Sequence, residues 1–319
     1  MNRLFRDAAG PCLAPRGSAV CIGAFDGVHR GHQAVLAQVR ESARTNGLTP
    51  VAVSFDPIPR AFFAREKGVP QLTSTREKIA RLFDAGIERV LLLRFDAKLA
   101  AVTAQEFVER VLVARLNAKQ AWVGEGFRFG HARAGDFALL QRMGVAHGLS
   151  AGEVAPFALD GERVSSSRIR TKLAQGDFDA AAHLLGRRFA IGGHVVRGAQ
   201  LGRKLGYPTA NLRLGSRTSP IGGVFAVRVH DVGTVPMPGV ASLGTRPTVD
   251  GREVLLEAHL FDFDGDLYGK RIEVEFVQKL RDEEKFDSLD AMVKQIDLDA
   301  QAARKILGCD TTVATGAMT

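Results

Sequence analysis

The 319-residue sequence contains no stretch of about 18 consecutive apolar residues, the length a helix needs to cross a bilayer, so no membrane span is expected. Residues 1–19 lack the basic-then-apolar layout of a secretory leader. Cysteine is scarce: Cys12, Cys21 and Cys309 are scattered, odd in number and without metal-ligand spacing. They predict free thiols in a reducing compartment and, with no leader, a cytoplasmic location. Low-complexity tracts and internal repeats are missing too. The formal charge is +8, yet the basic residues are dispersed, and no basic–aromatic interleaving of an RNA-binding kind occurs. Nucleic acid is therefore not the expected partner; clefts that attract phosphorylated small molecules account for the surplus charge.

What is present is an ordinary globular composition, 45% hydrophobic and 24% charged, in a chain long enough for two domains. The first half alternates apolar runs with helical patterns. Strands are expected at Ala19–Phe25, Val51–Phe55, Arg89–Phe95 and Gln120–Gly124. The helices between them open at about Gly31 and at two capping boxes, Ser74 with Glu77 and Thr103 with Glu106. Such alternation predicts a parallel sheet with helices on both faces, with ligands outside the carboxyl ends of the strands. After Gly186 the period becomes two, at Phe189–Val196, Val224–His230, Glu253–Phe261 and Arg271–Val277, which predicts an antiparallel sheet or small barrel. A last helix follows, from about Ser288 to Leu307. The expected domains are 1–186 and 187–309, with a disordered tail at 310–319.

Gly23-Ala24-Phe25-Asp26-Gly27-Val28-His29-Arg30-Gly31-His32 joins the first expected strand to the first expected helix. Gly27 and Gly31 let the backbone turn tightly against a ligand, and free N–H groups at a helix start favour phosphate. His29 and His32, three apart, can aim at one point and stabilise charge on a transferring phosphorus. A polar helix cap with incidental histidines is the plainer alternative.

The fuller G-x-F-D-G-V-H-x-G-H block resembles that of the bacterial bifunctional riboflavin kinase/FAD synthetases, and H-x-G-H is shared with the nucleotidyltransferase superfamily. Three more blocks match in order: Val53–Pro59, Val123–Gly130 and Val164–Arg170. The resemblance implies a Rossmann-like nucleotidyltransferase domain with a parallel sheet, then a six-stranded antiparallel β-barrel kinase domain with a C-terminal helix. It implies ATP and phosphate contacts at Gly23, Phe25, Asp26, Gly27 and Gly31, at Gly124, Phe127 and Arg128, and at Ser165, Ser166, Ser167, Arg168 and Arg170. His29 and His32 would be catalytic. The sequence departs from the family pattern at Ile58, where His is usual, at Gly126, where Asp or Asn is usual, and at Ser167, where Thr is usual.

A second constellation starts at Gly198 and ends in Pro208-Thr209-Ala210-Asn211. Its glycines permit closure over phosphates, and Arg203 and Lys204 add charge. Thr209 and Asn211, two apart on an extended chain, point hard oxygens the same way, as Mg²⁺ requires. Alone, such a tetrapeptide would be a turn between strands. After a glycine-rich loop it resembles the riboflavin kinase fingerprint, which implies ATP or flavin contacts at Gly198, Gly202, Lys204, Gly206, Pro208 and Arg281. Glu257 lies among apolar residues in Val254–Leu260, where an edge-strand glutamate facing solvent is the alternative. The family's E-x-H-L segment makes it the base for the ribityl 5′-hydroxyl. Ser242 stands where Asn is usual and Phe225 where Tyr is usual. The implied substrates are riboflavin, FMN and ATP, with Mg²⁺; the oligomeric state is open between monomer and weak homo-oligomer. Kinase activity alone, or a non-catalytic flavin- or nucleotide-binding regulator, are the alternative functions.

Overall fold

The computed structural model describes residues 3–64, 68–198, 202, 205–214, 218–248 and 251–309, side chains excepted at 245–248 and 251–253. The expected contact of Lys204 and the expected tail at 310–319 lie outside the described residues. The chain divides into two compact units, Met1–Arg168 and Ile169–Thr319. The change of periodicity comes later, near Gly186, because the helix Phe178–Leu185 ahead of it belongs by packing to the second unit: Phe178 lies 5.8 Å from the Phe225 ring and 6.3 Å from that of Phe276.

The first unit is built on six parallel strands, β1 (Arg3–Phe5), β2 (Ser18–Ile22), β3 (Thr49–Asp56), β4 (Arg89–Arg94), β5 (Ala118–Gly124) and β6 (Ser150–Val154), in the order β1-β4-β3-β2-β5-β6. Alternation along each strand feeds two cores. Val20, Ile22, Val51 and Val53 enter one, while Ala19, Cys21, Ala52 and Leu92 enter the other. Both faces are thereby covered, which is why the central strands read as unbroken apolar runs. Both capping boxes form, Ser74 with Glu77 and Thr103 with Glu106. β2 stops at Ile22, short of the expected Phe25, and Gly23–Val28 becomes a loop. A small hairpin, β7 (Ala158–Leu159) with β8 (Glu162–Arg163), precedes the helix Ser166–Ala174.

The second unit is a closed antiparallel barrel of β9 (Ala190–Val196), β10 (Ala210–Arg213), β11 (Gly223–His230), β12 (Met237–Thr248), β13 (Gly251–Leu260) and β14 (Arg271–Arg281), ordered β10-β13-β12-β11-β14-β9. Closure removes every edge, so the edge-strand alternative for Glu257 does not apply: β13 is paired on both sides, by β10 and β12. β12 runs through Pro238 and Gly239, residues that read as turn. Its glycine is needed because a Cβ there would lie 2.4 Å from the His259 carbonyl on β13. The helix Leu289–Leu307, capped by Ser288 and Gly308, lays Ala300 and Ala303 against Val224, Val240 and Phe261. Arg304 fastens its end by a twin bond to Asp262 and by stacking over Phe261.

Candidate active sites

The loop Gly23–Val28 leaves β2 at its carboxyl end and feeds the helix Arg30–Asn46. Phe25 (φ 49°) and Val28 (φ 40°) sit in left-handed space that costs bulky and β-branched residues energy, so neighbours must hold them. They do. The Asp26 Oδ1 accepts the N–H groups of Leu72 (2.9 Å) and Thr73 (3.2 Å), Gly27 N–H donates to Thr73 Oγ1, and Ser166 Oγ donates to the Asp26 carbonyl. Asp26, read in the sequence as a phosphate contact, is thus buried with Oδ1 turned to backbone donors, where it fixes the loop.

His29 caps the helix, its Nδ1 accepting the His32 N–H at 3.3 Å. Nδ1 being an acceptor, the neutral ring carries its proton on Nε2. The two imidazoles stack with centroids 3.7 Å apart. The H-x-G-H spacing therefore brings both rings to one place. Gly31 makes the stack possible, since a Cβ there would stand 3.2 Å from the His29 ring. His32 keeps part of its surface open while its Nδ1 is shut away without a hydrogen-bond partner. Burial, then the nearby charges of His29 and Lys78, hold its pKa well below the usual histidine range.

Of the other predicted residues, Gly124 and Gly126 have open space around them, and Phe127 stacks on Phe129 with centroids 5.4 Å apart. Arg128 reaches Asp136 at 3.5 Å. Ser165 caps the Ser166–Ala174 helix by accepting the Arg168 N–H, and Ser167 accepts from Arg60. Arg168 pairs with Glu162 at 3.0 Å, and Arg170 falls in the second unit. Ser166 and the Val164 carbonyl thus join the histidine block, whereas Arg128 and Arg168 engage acids of their own neighbourhoods. Ile58 is buried.

Two features escaped the sequence reading. Phe55, Phe62, Phe63 and Phe95 form an edge-to-face cluster at the carboxyl ends of β3 and β4, with Phe63 67% exposed. Lys78 is buried, 3% exposed, and donates to the carbonyls of Phe55 (2.7 Å) and Ala24 (3.4 Å). The signal for Lys78 was its place four residues before Leu82, on the apolar stripe of its helix.

In the second unit Asn211 on β10 pairs directly with Glu257 on β13, and Ser242 on β12 flanks the glutamate from the other side. Asn211 is 5% exposed; its Nδ2 donates to the Thr209 carbonyl and to Thr209 Oγ1, and its Oδ1 is buried without a hydrogen-bond partner. Gly198 lies so close that a Cβ there would stand 2.7 Å from that oxygen. Two cavities meet at Thr209. One, about 280 Å³, runs along Pro208–Asn211 and Asp264–Tyr268. The other, about 350 Å³, lies between the barrel and the final helix, lined by Glu257, Ser242, Phe286, Met292 and Ile296. Arg281 borders the second cavity with its guanidinium held by the buried Asp299 at 2.8–3.1 Å. His259 accepts no reacting role from its contacts: its Nδ1 meets the Pro208 carbonyl at 2.9 Å and its ring packs on Tyr207, which pins the turn. The Tyr207 hydroxyl bonds Asp297, and burial pushes its pKa up to about 12. Gly202 closes the same turn, its carbonyl accepting the N–H groups of Leu205 and Tyr207, and Gly206 takes φ 85°.

Residues 13–168 match the FAD synthetase family and residues 185–307 the riboflavin kinase family, the first match ending where the first unit ends. A bifunctional riboflavin kinase/FMN adenylyltransferase of Escherichia coli is 44% identical over 96% of this chain and 98% of its own, and one of Pseudomonas fluorescens 47% over 91% and 93%. The chain belongs to the bifunctional riboflavin kinase/FMN adenylyltransferase family. A crystal structure described as a macrolide-efflux protein from Streptococcus pneumoniae has the same fold over 95% of this chain and 98% of that one, at 31% identity and a TM-score of 0.76. Among the described residues of this family member, no helix is long and apolar enough to cross a membrane.

Proposed function

We propose that the two activities of the family occupy separate sites in this chain: riboflavin is phosphorylated between Thr209, Asn211 and Glu257, and FMN is adenylylated over His29 and His32. The observation that carries the first assignment is the junction at Thr209. One cavity is apolar enough for a flavin ring, the other runs beside the glycine-bearing turn where ATP would lie, and Glu257 and Asn211 are paired where they meet. Glu257 takes the proton of the ribityl 5′-hydroxyl; the oxygen bonds to the γ-phosphorus of ATP as the bond to the β-phosphate oxygen breaks, leaving FMN and ADP.

The buried acceptor of Asn211 fits a hard cation. Among the described residues no cluster of His, Cys, Asp or Glu could hold a metal alone, so Thr209, Asn211 and the nucleotide phosphates together would hold Mg²⁺. When bound, the ion neutralises charge on the phosphate oxygens. Asn211 and Thr209 orient those oxygens, and Glu257 moves the proton.

At the first site the FMN phosphate is already an anion and needs no base. It attacks the α-phosphorus of ATP, and pyrophosphate leaves. The helix start and the His29 Nε2–H supply donors to the charged oxygens, and the work is positioning and charge neutralisation. A cytoplasmic enzyme acting on riboflavin, FMN and ATP is the reading that follows.

The test is to incubate the purified protein with riboflavin, ATP and Mg²⁺ and separate the products. FMN followed by FAD is expected. FMN without FAD would remove the adenylyltransferase assignment, and no flavin nucleotide at all would leave a binding protein.

A further inference from the structure

We propose that the Lys78 ammonium is a positioning residue for adenylyl transfer, tying the carboxyl ends of β2 and β3 together beneath the histidine pair and fixing one positive charge under the phosphate site. The inference rests on the adenylyltransferase reading of that site. Lys78 stands on the helix Thr75–Asp84 and donates to the carbonyl of Ala24, in the strained loop after β2, and to that of Phe55, near the end of β3. Ser54 Oγ shares the Ala24 carbonyl at 3.3 Å. The helix is anchored from the other side as well: Thr73, just ahead of its cap, accepts the Gly27 N–H, and the N–H groups of Leu72 and Thr73 donate to Asp26 Oδ1. The loop that presents His29 and His32 is thus clamped by one segment, 72–78.

A lysine used only to fill this space would be a poor choice. Burial of an ammonium costs free energy, and two carbonyls do not replace its water shell. The groups facing it are Asp26 on the loop, Asp56 at the end of β3 and His32 on the first helix. The two carboxylates favour the charge, yet burial outweighs them and draws the Lys78 pKa down to about 8. Because the folded pKa lies below the unfolded one, the charged lysine destabilises the fold at pH 7, and that cost declines only as the pH rises from the folded value of about 8 toward the unfolded value of 10.5. A charge kept at that cost, next to the site of phosphate chemistry, is placed for the reaction. Above the folded value the clamp loses its charge, and FAD synthesis loses rate.

The experiment measures FAD formation from supplied FMN between pH 6 and 10 in the wild type, Lys78→Met and Lys78→Gln, with riboflavin kinase rate and melting temperature recorded alongside. The wild type is expected to show an alkaline fall in kcat/KM near pH 8, the value of the free enzyme's Lys78. Both variants melt higher at pH 7, lose about 100-fold in kcat for FAD formation, lack the alkaline fall, and keep the kinase rate. A wild-type profile flat to pH 10, or a variant with wild-type FAD kcat, would overturn the inference. Should neither variant fold, the wild-type profile alone decides. A wild type that makes no FAD at any pH instead overturns the site's reading.

Discussion

The two proposed sites differ in construction. In the barrel, a carboxylate faces a cavity: Glu257 lines it beside an asparagine whose oxygen has no hydrogen-bond partner. In the parallel-sheet unit, the Asp26 Oδ1 is turned to the backbone N–H groups of Leu72 and Thr73, and two stacked imidazoles stand at a helix start, the groups proposed to meet the ligand. The difference follows the nucleophiles. A hydroxyl must lose a proton to attack, whereas a phosphate arrives ionised. One fold invests in a base; the other invests in a rigid loop.

The sharpest way to break the comparison is to remove the base. Glu257→Gln keeps the shape and hydrogen bonding of the side chain but cannot accept the proton, and FMN formation should fall about 1000-fold. Asn211→Ala should fall nearly as far, by opening the Thr209 junction. In both, FAD formation from supplied FMN should stay within a factor of about 2, since sites without shared partners act additively. Parallel loss of both activities, read by product separation, would mean one site and not two.

The reciprocal change is smaller. His29→Ala removes a donor and the cap that accepts the His32 N–H, and FAD formation should drop about 100-fold or more with the kinase untouched. Equal loss from Asp26→Asn at unchanged melting temperature would contradict the loop-fixing reading of that carboxylate.

How far these sites could be read beforehand depended on whether function coincided with a local pattern. H-x-G-H and P-T-A-N each lie on one short segment, so spacing alone brought their residues together. The four inner parallel strands were legible because both faces are buried. β1 and β6 were not, since Arg3–Phe5 and Ser150–Val154 are edge strands without an apolar run. β12 was hidden by Pro238 and Gly239, which the barrel tolerates through close backbone approach. The loop-fixing contacts of Asp26 were not legible because its partners, Leu72 and Thr73, are remote in sequence. Glu257 was placed on a strand from sequence, but only barrel closure, a tertiary fact, removes the edge-strand alternative.

A gain sharpens the comparison where a loss cannot. Gly126 takes φ 73° with nothing within 4 Å of a Cβ, a conformation that Asp tolerates better than most residues. Gly126→Asp should cost about 1 kcal/mol or less in stability and raise FAD formation by adding a polar group to the loop where the family carries one. An unchanged FAD rate would show that position 126 does not reach the nucleotide.

The smallest effect concerns stability, and it too should appear in only one unit. His32 is held neutral, its pKa well below the ordinary 6.5 of an unfolded histidine, chiefly by burial. A histidine whose folded pKa is lowered binds fewer protons than its unfolded form once the pH falls below 6.5, so acid favours unfolding. That penalty grows as the pH falls further below 6.5. Melting followed at the single tryptophan, Trp122 on β5, reports the first unit and should shift downward by a few degrees between pH 7 and pH 5.5. His32→Asn should flatten that slope. A first unit whose melting ignores pH in this range would mean that the His32 ring is not held neutral in the folded protein, against its stacked arrangement on His29.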